Sequence, residues 1–185
     1  IFTFNRGIER EALRIQASGL LANSQHPSEF GSKLAHPLVT TDFSESQLEI
    51  ITPVHTSSDE ILTTLQKLHQ HVYQGLSSEL LWPGSMPCIL PADQHIPLAN
   101  YGDSNLGRLK TTYRNGLGLR YGRSMQTICA IHYNFSPRKA FWSALKKTLP
   151  QESAQAFRSR RYFGLMRNFR RLSWLPLYLF GSSPA

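Results

Sequence analysis

The chain has 185 residues, 41% of them hydrophobic, with 20 Lys and Arg against 12 Asp and Glu and only two cysteines. Apolar content on this scale supports one domain with an ordinary core and excludes a disordered chain, while two cysteines exclude a disulfide framework. The net charge of +8 admits nucleic acid, a smaller polyanion or missing acidic segments, and does not choose among them.

No signal peptide and no run of about 20 apolar residues is present, so the default expectation is a cytoplasmic chain without a membrane span. The start on Ile1 and the stop at Ser182-Ser183-Pro184-Ala185, just after an apolar aromatic run, read as a piece of a longer protein.

Arg6-Gly7-Ile8-Glu9-Arg10-Glu11-Ala12-Leu13-Arg14-Ile15 is the stretch with the most chemistry in it. On a strand, Glu9 and Glu11 share a face with Leu13 and Ile15, while Arg10 and Arg14 point away. A helix also fits, because Ile8, Ala12 and Ile15 recur at helical spacing. The next residues favour the strand, since Ser18-Gly19 divides two apolar runs as a hairpin turn would. Two carboxylates at strand spacing lie roughly 6 to 7 Å apart and repel by about 2.5 kcal/mol at an effective dielectric of about 20. Hard divalent cations, Mg²⁺ or Mn²⁺, would relieve that; solvated glutamates paired with the neighbouring arginines are the plainer account.

Residues 26–37 carry Pro27, Gly31 and Pro37 and read as a loop with at most a short helix. Asp42 then precedes a turn-like segment, and Glu49 lies in a β-type run closed by Pro53. A carboxylate between Leu48 and Ile50 is either partly desolvated and in need of a partner, or on an edge facing water. Ser57-Ser58-Asp59-Glu60 is a capping box, followed by Ile61, Leu65, Leu68, Val72 and Leu76 at helical spacing. His69 and His71 on that helix turn to different faces and read as boundary residues. Residues 81–88 are too rich in proline for a regular element, and Cys88 reads as a small buried hydrophobe.

A glycine-bearing loop, residues 101–108, leads to a predicted helix over 109–117 with Lys110, Tyr113 and Arg114; an ordinary turn is favoured over an anion cradle. Residues 124–136 alternate as a strand, which would set Gln126, Ile128, Ala130, His132 and Asn134 on one face. His132 there is a metal ligand or a core histidine with satisfied hydrogen bonds. Residues 137–147 predict a short helix. Residues 151–174 predict a basic one in which Phe157, Phe163, Met166 and Phe169 alternate with arginines. That composition suits phosphate contact and base stacking, but the favoured reading is an amphipathic helix whose apolar stripe packs on the core. A nucleic-acid module would instead show steeply salt-dependent affinity.

Taken together these motifs resemble the glutamate-cysteine ligase family of γ-proteobacterial type. The carriers are Arg6 to Glu11, Thr40-Thr41-Asp42-Phe43, Leu48-Glu49-Ile50-Ile51-Thr52-Pro53, Trp82-Pro83-Gly84-Ser85-Met86-Pro87-Cys88 and Tyr101-Gly102 with Ser104-Asn105. They continue with Gly107-Arg108, Tyr113-Arg114, Gly116-Leu117, Arg120-Tyr121-Gly122, Met125-Gln126-Thr127, His132-Tyr133-Asn134-Phe135-Ser136 and Tyr178-Leu179-Phe180-Gly181.

The resemblance covers essentially the whole chain, residues 1–185, as the N-terminal part of a single catalytic domain. It implies an α+β fold similar to glutamine synthetase, with an antiparallel sheet curved around a Mg²⁺ site and helices outside. It implies ATP-dependent joining of the γ-carboxylate of L-glutamate to the amine of L-cysteine, alone or within a bifunctional glutathione-synthesising fusion, with no nucleic-acid or membrane partner. By matching position, Glu9, Glu11, Asp42, Glu49 and His132 are the metal residues; Phe43, Tyr113, Leu117 and Gln126 are on the cysteine side, and the glutamate lies near Ile128 and His132. Three departures stand out. Cys129-Ala130 replaces a common Ser-Gly, which puts a close backbone approach in doubt, and Ser46 replaces a common alanine near the cysteine pocket. Further site residues lie beyond Ala185, so this segment alone is expected to be inactive.

Overall fold

A 12-residue strand, β1 (Phe4–Ile15), is the spine of the sheet. Its two faces bury different things, which is why a strand wins over the helix that propensity allows. Ala12 packs with Phe30, Val39, Leu48, Ile50, Val72, Leu76 and Leu81 in one core. Leu13 and Ile15 pack with Leu21, Cys88, Ile96 and Cys129 in a second core. The turn at Ser18-Gly19 is present: Gln16 N–H donates to Leu20 O at 2.9 Å, and Gly19 has φ +83°, a region that glycine enters without steric cost.

The computed structural model describes residues 2–147 and 152–181, and it divides into two compact units, Phe4–Ser136 and Ile1–Thr3 with Pro137–Ala185. In the larger unit β2 (Val39–Thr41), β3 (Gln47–Ile51), β1 and β4 (Leu80–Leu81) follow in that order, and β5 (Ile131–Pro137) also pairs with β1. The β1–β3, β2–β3 and β1–β4 pairs are antiparallel. Residues 26–37 form a loop with a single 3-10 turn, Ser28–Phe30.

Helix α1 (Ser58–Gly75) starts at the capping box, with the Ser57 side chain accepting from Glu60 N–H, and buries Ile61 and Val72. Helix α2 (Asn105–Tyr121) is longer than the predicted 109–117, because Ser104 caps it by accepting from Gly107 N–H. Gly107 is required at that entry: a Cβ would lie 2.5 Å from Tyr101 O and 2.6 Å from Gly102 O, both backbone atoms.

The predicted strand over 124–136 is corrected. Met125–Thr127 is a 3-10 turn and the strand begins at Ile131. Local bonding wins at its start: Asp93 accepts from Arg123 N–H at 3.1 Å and Ser124 N–H at 2.8 Å, and Thr127 Oγ1 donates to Ser124 O at 2.7 Å. Gln126 and Ile128 therefore do not share a strand face with His132 and Asn134.

In the smaller unit, α3 (Lys139–Lys146), α4 (Ala154–Leu172) and α5 (Trp174–Phe180) follow. Position 151, where the basic helix was expected to begin, and the chain ends at Ile1 and 182–185 lie outside the described residues. The expectation that the stripe of α4 packs on a core is also corrected. Only Phe157 is buried, while Phe163, Met166 and Phe169 are 60 to 66% exposed. No helix among the described residues is long and apolar enough to cross a membrane.

Candidate active site

The register of β1 with β3 sets Glu11 directly opposite Glu49. Like charges facing each other across strands are destabilising, so this pairing is maintained against its own electrostatics. Glu9 lies two residues from Glu11 on the same face, and Asp42 follows β2, whose Thr40 is the other cross-strand neighbour of Glu49.

The Asp42 segment is held from several directions. The Tyr101 hydroxyl donates to Thr41 O at 2.6 Å, and Arg114 Nε donates to Asp42 O while its guanidinium stacks 4.6 Å from the Tyr101 ring centroid. Glu45, in the turn between β2 and β3, accepts from His26 N–H and Asn100 N–H, both at 2.9 Å, and from the Lys33 ammonium.

The acids respond to this crowding. Burial raises the Asp42 carboxyl, with Glu11 adding to it. Glu49 is pushed up to about 7, first by burial and then by Asp42, Glu9 and Glu11, with His132 opposing. A carboxyl whose folded pKa is raised stabilises the fold while protonated and loses that contribution as pH rises through the folded value. The cation-free protein is therefore expected to lose stability between about pH 4.5 and about pH 7, by on the order of 2 kcal/mol after allowance for partial exposure. Urea midpoints across that range should show the loss, and Glu49→Gln should flatten it; an unchanged slope in the variant would assign it elsewhere.

On the other side of β1, Ala130 N–H donates to Glu11 Oε2 at 2.8 Å and Glu11 N–H donates to Ala130 O at 3.0 Å. The close backbone approach is thus made with alanine in place. His132 Nε2 lies 3.1 Å from Glu11 Oε1, and Asn134 Nδ2 donates to Glu9 Oε1 at 2.7 Å. Beside Glu9 a cavity of about 330 Å³ is lined by Arg6, Thr52, Asn134 and Ser136.

Glu9, Glu11, Asp42, Glu49 and His132 thus belong to one coupled group. Among the described residues, however, no three His, Cys, Asp or Glu side chains converge as a ready-made metal cage. The oxygen-rich donor set and the repulsion within it still fit a hard divalent ion, because Mg²⁺ is ordinarily held by one or two carboxylates with water and phosphate completing its shell.

The other named residues lie on and around α2 and the 3-10 turn that follows it. Phe43 is buried, 2% exposed, and a Cβ at Gly118 of α2 would lie 3.5 Å from its ring. Tyr113 on α2 is 63% exposed, and Leu117 is half-buried one turn further on. Gln126 is half-buried in the 3-10 turn, and Ile128 is exposed just after it. Ser46 is fully buried with its hydroxyl donating to Ala22 O, so it lines no open pocket. Cys129 is likewise buried, its thiol pushed up to about 12 chiefly by burial. Two contributions had no assigned role in the sequence reading: the Arg114–Tyr101 hold on Asp42, and Asn134, whose signals were its two-residue spacing from His132 and its place in the His132 to Ser136 motif.

The fold and site together define an α+β chain with acids gathered on one face of an antiparallel sheet. The chain belongs to the glutamate-cysteine ligase family, whose model matches residues 1–185. It is 53% identical over 182 residues to a glutamate-cysteine ligase of Hahella chejuensis, covering 97% of this chain and 35% of that protein. It is 54% identical to one from Alcanivorax borkumensis, covering 97% and 34%. The chain thus spans about a third of the length of these curated relatives.

Among solved structures it superposes on glutamate-cysteine ligase from Francisella tularensis in complex with AMP, with TM-score 0.91 and 42% identity over 100% of this chain and 36% of that one. It also superposes on a bifunctional glutathione synthetase from Pasteurella multocida, with TM-score 0.90 and 34% identity over 99% of this chain and 24% of that one.

Proposed function

We propose that these residues form the acid-lined part of an ATP-dependent ligase that joins the γ-carboxylate of L-glutamate to the amine of L-cysteine, the first step of glutathione synthesis. The observation that carries this reading is the coupled group of Glu9, Glu11, Asp42 and Glu49 with His132 on one sheet face. In it, residues 1–185 are the N-terminal part of one catalytic domain whose sheet curves around the site in the manner of glutamine synthetase. Two buried free thiols, Cys88 and Cys129, accord with a cytoplasmic location.

The reaction needs such a group. An oxygen of the glutamate carboxylate attacks the γ-phosphorus of ATP, ADP leaves, and a γ-glutamyl phosphate results; the amine of cysteine then attacks the acyl carbon, loses a proton and expels phosphate. The attacking carboxylate and the phosphates are both negatively charged in the first step. Mg²⁺, or Mn²⁺, when held by Glu9, Glu11, Asp42 and Glu49, would neutralise the phosphate oxygens. His132 and Ala130 N–H keep Glu11 in one orientation, and Arg114 with Tyr101 keeps the Asp42 segment in place. Phe43, Tyr113, Leu117 and Gln126 are assigned to the cysteine side and Ile128 to the glutamate side, with buried Phe43 acting as the packing under α2.

The test is phosphate release by the full-length protein. It should require ATP, glutamate and cysteine together, and release independent of either amino acid would overturn the assignment. The likeness to the P. multocida protein supports a second reading, the same ligase module within a bifunctional glutathione-synthesising fusion. Consumption of glycine with a second equivalent of ATP would favour that reading.

A further inference from the structure

Along β5 and the residue just before it, successive groups are bonded onto the acids of β1. Ala130 N–H and the His132 ring both meet Glu11, at 2.8 and 3.1 Å, and Asn134 Nδ2 meets Glu9 Oε1 at 2.7 Å. Residues two apart on a strand share a face, so β5 aims His132 and Asn134 to the same side. Glu11 thereby has two holders. Among the described residues Glu9 has one side-chain hydrogen-bond partner, the Asn134 amide, and its Oε2 accepts no hydrogen bond.

We propose that Asn134 is a positioning residue for the divalent cation: its amide holds one oxygen of Glu9 and leaves the other turned toward the ion. The inference rests on reading Glu9 as a cation-binding carboxylate. The chemistry of the residue fits the task. An amide donates a hydrogen bond without adding charge and without titrating. A carboxylate at this place would repel Glu9 and enlarge a repulsion already present among four acids. An ammonium would neutralise Glu9 and compete with the cation. A hydroxyl on a shorter side chain would not reach. Partners that orient metal-binding groups from behind typically contribute roughly 10- to 100-fold to metal affinity.

Mn²⁺ binding to the full-length protein, followed by the electron paramagnetic resonance signal of the free ion, tests this directly. Asn134→Ala should weaken Mn²⁺ binding about tenfold or more while the unfolding midpoint hardly moves, since the side chain is exposed. Asn134→Ser should behave the same way and serves if the alanine variant folds poorly. A role confined to the fold would lower the midpoint and leave the Mn²⁺ dissociation constant unchanged. An unchanged constant in either folded variant overturns the inference, as does a wild-type protein that binds no Mn²⁺.

The ligase reading fails separately. Wild-type protein that binds Mn²⁺, loses that binding in Asn134→Ala, and yet shows no glutamate- and cysteine-dependent phosphate release would keep the positioning role and remove the activity.

Discussion

In the full-length protein, Glu49→Gln should lower kcat by roughly a thousandfold or more, equivalent to about 4 kcal/mol of transition-state stabilisation, while the fold stays intact. The same substitution should make the cation-free protein more stable above about pH 7, because an uncharged amide removes both the burial of charge and the repulsion from Asp42, Glu9 and Glu11, which in that order push the Glu49 carboxyl up to about 7. Opposite signs for activity and stability are the mark of a site kept for chemistry at a cost to the fold. Glu9→Gln should also lower kcat by orders of magnitude, with a smaller stability gain, since Glu9 is already bonded to Asn134. Turnover near the wild-type rate at saturating Mg²⁺ would remove the substituted residue from the site. A loss of kcat accompanied by equal loss of stability would point to misfolding.

The second large effect concerns Arg14, which is fully buried in β1. Its guanidinium pairs with the Glu79 carboxylate and donates to Ser24 O at 2.8 Å and Glu45 O at 3.0 Å. It therefore ties the central strand to the loop after β1, to the turn between β2 and β3, and to the residue before β4. Arg14→Met leaves Glu79 and two carbonyl oxygens without that partner, and breaking a pair of this kind typically costs about 3 to 5 kcal/mol. Urea unfolding should show the loss. Adding Glu79→Leu should recover a large part of it, because two apolar side chains of similar volume avoid the stranded charge. A single-variant loss under about 1 kcal/mol would mean that the buried guanidinium is dispensable.

Arg14 also marks where local reading reaches its limit. The alternation in residues 6–15 places it opposite Glu9 and Glu11, and β1 does put it on that other face. Alternation cannot say that this face is buried as well, because the burial comes from α1, β4 and Glu79, which lie far along the chain. The expected strand over 124–136 failed for a related reason. Its alternation holds from Ile131 onward, but Asp93, some 30 residues earlier, accepts from the backbone at Arg123 and Ser124 and gives the start of the segment a turn instead. On α4 the pattern of Phe163, Met166 and Phe169 was legible and its packing was not, because burial depends on what lies against a helix and not on its period.

What could be read from the residues alone was chemical and local. The strand character of β1, the cap of α1, the turn at Ser18-Gly19 and the family motifs that single out Glu9, Glu11, Asp42, Glu49 and His132 all depend on short spacings. Only the tertiary structure decided that Glu11 faces Glu49 across the sheet, that Arg114 and Tyr101 hold Asp42, and that Asn134 holds Glu9. The physical reason is that electrostatic coupling and hydrogen bonding act over a few ångströms of space. Chain folding brings within that distance groups separated by 38 to 125 positions, and no local pattern encodes which ones will meet.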